Sequence, residues 1–403
     1  MKKLYVALAL SFVGYTAYSQ NLINDGGTIN IAPGATVTLT ANFNNLNAGA
    51  VNNSGAMEVA GNFTAADASN QTGAGIYRFN GNNNPQTLTI GTGQISSIEL
   101  NNPLGLELQS DVKGVNSLNF INGHIISGPN TLTMNTVNNA VSGASNNRFL
   151  VCGDNGLLKY NNVGTGDTAF FPIGYSVGNY NPAWLTNSGT ADNFSAQVFN
   201  DVLNNGLTGS SIAFDDRLVN RTWNIQEDNA GGTMPMLTLQ WDASHQRAGF
   251  NPQVNSVVSY YRENQGQWEY FPSSVPVQGS DPFIITRTFT ANPDNMGAFI
   301  VANNGSITIF PESVGETPPG TEVSCSPNPA TTGNTIQVTA KALANKVVNV
   351  KLFDATGRCV ATDNKMANPK GQLPFVIPQL TKGMYLLNLT TPQGRYSSKL
   401  IVE

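Results

Sequence analysis

The strongest limit on how this chain can fold is its punctuation. From Asn21 to about Leu150, short apolar alternations are interrupted again and again by Gly and Asn: TINI (28–31), TVTLT (36–40), AMEVAGNF (56–63), QTLTI (86–90), SSIEL (96–100), LELQS (106–110), SLNFINGHII (117–126) and TLTM (131–134). Gly and Asn are poor helix formers, and Thr and Val lose rotamer freedom in a helix, so long helices are disfavoured. The pattern predicts an all-β chain. Spacings of about ten residues suit either sandwich strands or the sides of a parallel β-helix. Single apolar sides such as Ile29/Ile31 and Leu106/Leu108 need stacking neighbours to be buried, and corners such as Asn122-Gly123 supply left-handed turns, which favours a β-helix-like repeat region over residues 20–150.

The texture then changes. Residues 151–309 are richer in aromatics and carry longer alternations. LTLQWD puts Leu237, Leu239 and Trp241 on one face and Thr238, Gln240 and Asp242 on the other. SVVSYYRENQGQWEYF reads as a hairpin, and the region as an antiparallel β-sandwich. Residues 310–322, with Pro311, Pro318, Pro319 and three glutamates, have no periodicity and read as an extended linker. Residues 323–403 then hold about seven short strands, enough for a small immunoglobulin-like sandwich. There Val348, Val350 and Leu352 are expected to face a core, with Asn349 and Lys351 on a wet face.

The first residues, MKKLYVALALSFVGYTAYSQ, combine Lys2 and Lys3 with an apolar run and a small-x-small ending, so residues 1–19 read as a signal peptide cleaved between Ser19 and Gln20. The apolar run from Leu4 to Val13 is too short for a span, which needs roughly 20 residues, and no transmembrane segment is expected elsewhere. Charge is uneven: residues 1–322 hold 11 Lys+Arg against 22 Asp+Glu, and residues 323–403 hold 9 against 3. The acidic body excludes nucleic acid as its partner.

Cys152, Cys325 and Cys359, with His124 and His245, make no recognised metal-ligand spacing, so no metal or other cofactor is expected. Cys325 and Cys359 share one segment of an exported chain and are the candidate disulfide pair. Connectivity is not readable from sequence, and Cys152 would then remain a free, buried thiol.

Toward the C-terminus, SPNPATTGNTIQV, VKLFDATGR, LTKGMYLLNL and GRYSSKLIV occur in order, and together they resemble the type A C-terminal sorting domain of proteins exported by the Bacteroidetes type IX secretion system. The residues that carry the resemblance are Pro327, Asn328, Pro329, Asp354, Gly357, Arg358, Gly383, Tyr385 and Lys399. Pro327-Asn328-Pro329 forces an extended lead into a strand, Asp354 and Gly357 suit a tight turn, and Gly383 releases the chain into its next-to-last strand. Leu400 and Val402 should pack inward and Lys399 stay exposed. The resemblance implies passage through Sec and the periplasm, recognition by the type IX machinery, removal of the domain by a sortase-like protease, and a passenger either attached to lipopolysaccharide or released. Residues 20–309 resemble more loosely the Asn/Gly-rich repeats and FPIG-type segments of large surface proteins from the same bacteria.

Candidate chemistry is sparse. Gly174-Tyr175-Ser176-Val177-Gly178 matches G-x-S-x-G, with Asp215 or Asp216 and His245 following in hydrolase order. That motif needs a strand, a strained turn and a helix, and NYNPAWLTN after it is poor helix material, so it reads as a loop. In the repeat region the acids Asp25, Glu58, Asp67, Glu99, Glu107 and Asp111 and the bases Arg78, Lys113 and Arg148 are scattered without the i, i+2 pairs a polysaccharide hydrolase or lyase would show. Trp223, Trp241, Trp268, Tyr261 and Tyr270 offer a sugar-stacking platform or, more simply, core. Asp167-Thr168-Ala169 resembles the short O-glycosylation signal of these bacteria. The expectation is a non-enzymatic, secreted or cell-surface adhesin or structural protein; the alternative is a carbohydrate-binding or polysaccharide-degrading β-helix, with surface glycans as partners.

Overall fold

A computed structural model describes residues 21–304 and 323–403, apart from 67–69, 92, 154, 213–215, 264–265, 270–273, 291–292, 294–295, 355–357 and 392–393. The expected signal peptide with Ser19 and Gln20, the linker 310–322, Asp67, Asp215, Tyr270 and Gly357 lie outside the described residues. The chain is all-β and begins as a β-solenoid of about 7 turns. It divides into two units: residues up to 202 with 211–260 and 273–303, and residues 203–210, 261–272 and 304–403.

In the first unit, three parallel ladders form the sides of the solenoid. One stacks Leu22–Asp25, Phe43–Leu46, Phe63–Ala65, Gln86–Thr89, Leu106–Leu108, Ile125–Ile126, Leu150–Val151 and Ile173–Gly174. A second stacks Thr36–Leu39, Ala56–Val59, Ile76–Phe79, Ser97–Asn101, Ser117–Asn122 and Val141–Ser142. The third begins with Thr28–Ile31, Ala50–Asn53 and Asn70–Thr72, and its side is later taken up by Val112–Val115, Thr131–Met134 and Leu157–Val163. Apolar side chains repeat along each ladder because register partners sit about one turn apart, as in Leu106↔Ile125↔Leu150↔Ile173, all fully buried. Phe43 and Phe63 pack with ring centroids 4.9 Å apart and planes tilted by 46°, and Phe63 meets Tyr77 edge-on at 5.7 Å.

Asn supplies the polar side of the same repetition. Asn24 donates to Asn45 Oδ1 at 2.7 Å and Asn52 to Asn30 Oδ1 at 2.9 Å, each bridging adjacent rungs. The Asn122-Gly123 corner is as expected: Gly123 has φ +83°, and a Cβ there would lie 1.9 Å from the Asn102 carbonyl oxygen.

The third ladder does not stop where the texture of the sequence changes. Leu157–Val163 pairs parallel with Thr131–Met134 on one edge and antiparallel with Asp192–Phe199 on the other. The sheet continues antiparallel through Leu218–Glu227 and Met296–Asn303 to Ser256–Tyr260. A five-stranded antiparallel sheet of Thr168–Phe171, Ala183–Asn187, Pro235–Trp241, Phe283–Thr288 and Gln278–Gly279 belongs to the same unit. Its Leu237, Leu239 and Trp241 are fully buried while Thr238 and Gln240 are not, as the alternation predicts. One apolar core runs from Ile31 to Val301.

In the second unit, the hairpin Tyr261↔Trp268 is closed by edge-on rings at 5.5 Å, with Trp268 Nε1 donating to the Leu203 carbonyl at 3.0 Å. Residues 323–403 give seven strands in two antiparallel sheets among the described residues: Ser324–Ser326, Thr335–Thr339 and Gln372–Val376, and, in sheet order, Cys359–Met366, Val347–Phe353, Gly383–Thr391 and Gly394–Val402. Ile336, Leu352, Phe375, Leu387 and Leu400 belong to their common core. The wet face expected for Asn349 is a correction: it is 3% exposed. Its strand is flanked on both edges, and its amide donates to Asn364 Oδ1 of its cross-strand partner at 2.8 Å, which satisfies it in place of water.

Candidate functional site

The strand Gly394–Val402 is held on both edges. On one side it pairs with Gly383–Thr391 over its whole length, from Thr391↔Gly394 to Gly383↔Val402. On the other the Pro-Asn-Pro segment closes it. Ala330 donates to the Ile401 carbonyl and Glu403 to the Ala330 carbonyl, both at 2.9 Å. Asn328 extends this ladder with its side chain: its amide nitrogen donates to the Lys399 carbonyl at 2.7 Å, and its Oδ1 accepts from the Ile401 N–H at 2.9 Å. A primary amide offers the same donor and acceptor as a peptide group, so one Asn completes an edge that the flanking prolines, lacking N–H groups, cannot.

The other expected motif residues have local duties. Asp354 Oδ1 accepts from the Arg358 N–H at 3.1 Å and its Oδ2 from Arg358 Nε at 3.2 Å. Tyr385 is 6% exposed, pairs with Leu400, and donates its hydroxyl to the Thr381 carbonyl at 2.8 Å. Gly383 is an ordinary strand residue opposite Val402; the nearest atom to a Cβ there would be 3.8 Å away, so the expected releasing role has no steric basis. Asn328 and Lys399 are brought together, whereas Asp354 and Arg358 form their own pair.

Lys399 is exposed and Leu400 and Val402 are buried, as the alternation predicts. The outward face of the terminal hairpin carries Met384, Leu386 and Ile401, at 52%, 47% and 37% exposure, with Met384 opposite Ile401 and Leu386 opposite Lys399. This is an apolar row with a cationic margin on the basic part of the chain.

The expected disulfide is absent. Cys325 and Cys359 are free thiols on different sheets. Cys325 is half-buried, and burial raises its pKa; Cys359 is exposed on an edge strand and its Sγ lies 3.3 Å from the Ala361 carbonyl. Cys152 is free and fully buried, and burial pushes its thiol up to about 12.

The G-x-S-x-G stretch is the loop it was read as. No helix follows Ser176; Asn179 instead donates its N–H to the Ser176 carbonyl at 2.9 Å and its side-chain amide to Ser176 Oγ at 2.7 Å. Asn179 Oδ1 in turn accepts from Arg221 at 2.8 Å, and Arg221 Nε donates to Asn181 Oδ1 at 3.0 Å. Asn181 Nδ2 and His245 Nδ1 lie 2.9 Å apart. Burial first, and the nearby Arg221 charge second, lower His245 to about 4; burial lowers Arg221 to about 10. His245 is thus a neutral member of a buried polar network that ties the loop down.

Two sets of residues look different in three dimensions. Glu58, Arg78 and Glu99, remote in sequence, are register partners on one face: Arg78 contacts Glu58 Oε1 at 3.0 Å and Glu99 Oε1 at 3.1 Å. The row extends from Thr38 to Asn119 and Ser142, one residue per rung. Its signal was a period of one solenoid turn. The aromatics take the simpler of their two expected roles: Trp223, Trp241, Trp268 and Tyr261 are all buried, their rings part of the core and not of a sugar platform. Among the described residues no group of three His, Cys, Asp or Glu could hold a metal ion, and no helix is long and apolar enough to cross a membrane.

Residues 325–403 match the family model described as a secretion system C-terminal sorting domain. No curated protein matches the chain. Among solved structures, dimeric latent PorU from Porphyromonas gingivalis is similar at 13% identity, covering 57% of this chain and 24% of PorU, with a TM-score of 0.17. The chain thus spans about a quarter of that structure, a likeness that defines neither fold nor activity.

Proposed function

We propose, from the premise that residues 325–403 are a type IX secretion sorting domain, that this chain is a cell-surface or secreted adhesin or structural protein without catalysis, delivered through Sec, the periplasm and the type IX machinery. The observation that carries the reading is the terminal strand, closed on one edge by Asn328 and Ala330 and presenting Met384, Leu386, Ile401 and Lys399 outward. A sheet with that edge occupied resists pairing with stray strands, while its exposed apolar row remains free to dock. The two antiparallel sheets here, and the two upstream, are read as sandwiches. A sortase-like protease acts in residues 310–322, after which the passenger is either linked to lipopolysaccharide or released.

The absence of catalysis is argued from Ser176 and His245, which spend their polar atoms on Asn179 and Asn181, and from Glu58 and Glu99, which face Arg78. Deleting residues 323–403 should leave the passenger in the periplasm, measured by fractionation and protease shaving of intact cells. Truncated protein found at the cell surface would refute the assignment.

A further inference from the structure

Of the chain's four tryptophans, Trp223, Trp241 and Trp268 are at most 1% exposed, and Trp184 alone reaches solvent. The cause is the alternation of its strand: Ala183, Leu185 and Asn187 are buried, which turns Trp184 and Thr186 to the opposite face. Opposite Trp184 in register stands Phe170, with ring centroids 4.9 Å apart and planes 17° from parallel. The same cross-strand row continues through Thr238 and Thr286, and the next contains Thr168 and Thr186. Their hydroxyls pair at 2.8 Å, Thr168 with Thr186 and Thr238 with Thr286. Each such pair uses one of its two protons and leaves the other, with lone pairs, for a ligand.

Beside the rings, the solenoid corner 137–141 closes an open groove of about 370 Å³, lined also by Thr168, Phe170 and Trp184. The corner is fixed, because Asn138 donates to Asp167 Oδ1 at 2.6 Å and accepts from the Thr168 N–H at 3.0 Å. None of the lining residues is charged. A charged ligand would therefore find no counter-charge, and a purely aliphatic one would strip water from the Thr hydroxyls and the exposed Asn139 amide without replacing it. A pyranose ring has both an apolar C–H face and hydroxyl edges.

We propose that this groove binds a neutral oligosaccharide, one pyranose ring lying on the Trp184–Phe170 pair and its neighbours following the threonine rows. The site gives the adhesin reading a ligand class and rests on that reading for its setting. Export and binding fail independently, since truncating residues 323–403 tests only the first.

The test is acrylamide quenching of tryptophan fluorescence in the full mature chain, titrated with cellohexaose, mannohexaose, xylohexaose and laminarihexaose, with hexagalacturonate as the charged control. Because the other tryptophans are buried, quenching reports on Trp184. At least one neutral hexaose should shield it; Trp184→Ala, followed calorimetrically, should weaken binding about tenfold, the equivalent of ~1.4 kcal/mol of stacking. Asn139→Gly, which removes the amide and tolerates the left-handed backbone of this exposed position (φ +56°), should weaken it about threefold with an unchanged melting temperature, and it carries the test should Trp184→Ala fail to fold. Shielding by hexagalacturonate alone, no shielding by any neutral hexaose, or unaltered affinity in folded Trp184→Ala or Asn139→Gly would overturn the proposal.

Discussion

The solenoid and the sorting domain are both built of short β-strands, yet they fix strand register by different means. In the solenoid each strand finds its parallel partner one turn away, and the register is written in side chains that touch across rungs: Asn24 to Asn45, Asn30 to Asn52, Glu58 to Arg78 to Glu99. In the sorting domain the last two strands, Gly383–Thr391 and Gly394–Val402, are neighbours in sequence and pair antiparallel from Thr391↔Gly394 to Gly383↔Val402. Other pairings there join strands further apart in sequence, Thr335–Thr339 with Gln372–Val376 and Val347–Phe353 with Gly383–Thr391, and the outer edge of the last strand reaches back to Asn328 and Ala330. Parallel stacking thus repeats one step of about a turn with a side-chain contact at each rung, whereas the antiparallel sheets mix neighbouring and distant strands and close the last edge with Asn328 and Ala330.

The comparison can be broken first through the core. Phe63→Ala removes a fully buried ring packed between Phe43 and Tyr77 and should cost ~3–5 kcal/mol. Calorimetry should place that loss in a transition of the first unit while the transition of residues 323–403 keeps its temperature; a joint shift of both would show that they unfold together. A smaller effect sharpens the edge argument. Asn328→Ala should cost about 1 kcal/mol, with amide exchange of Ile401 accelerating more than that of Leu387 in the strand interior. Equal protection in variant and parent would mean that the side chain does not hold the edge. Smallest of all, Arg78→Gln should cost about 0.5 kcal/mol and less in high salt, because its ion pairs are partly exposed. A loss of several kcal/mol would mean that this one row sets the register by itself.

Period-two alternation was readable wherever one face of a strand is buried, as for Leu237, Leu239 and Trp241, or Leu400 and Val402. The β-solenoid was legible from its Gly and Asn corners, Gly123 among them. What stayed hidden depends on contacts across many residues. Glu58, Arg78 and Glu99 looked scattered because their spacing is one whole turn, far beyond the i, i+2 window in which paired carboxylates were sought. Asn349 was assigned to water because alternation says nothing about a cross-strand Asn364 able to satisfy it. The aromatic platform was sought among residues by type, whereas the face a strand turns outward decides exposure; that rule buried Trp241 and left Trp184 at the surface. The Cys325–Cys359 pairing failed because sharing one segment of sequence does not bring two thiols within bonding distance: Cys325 is half-buried and Cys359 exposed on the edge strand of the other sheet.

The Asn328 contact also has a temporal side. Its two partners, the Lys399 carbonyl and the Ile401 N–H, are made 71 and 73 residues later. A chain made N-terminus first carries Asn328 and Ala330 before the strand Gly394–Val402 that completes their hydrogen bonds has been added. The closed edge is therefore among the last contacts of residues 323–403 that can form, since it requires both ends of that segment to be in place.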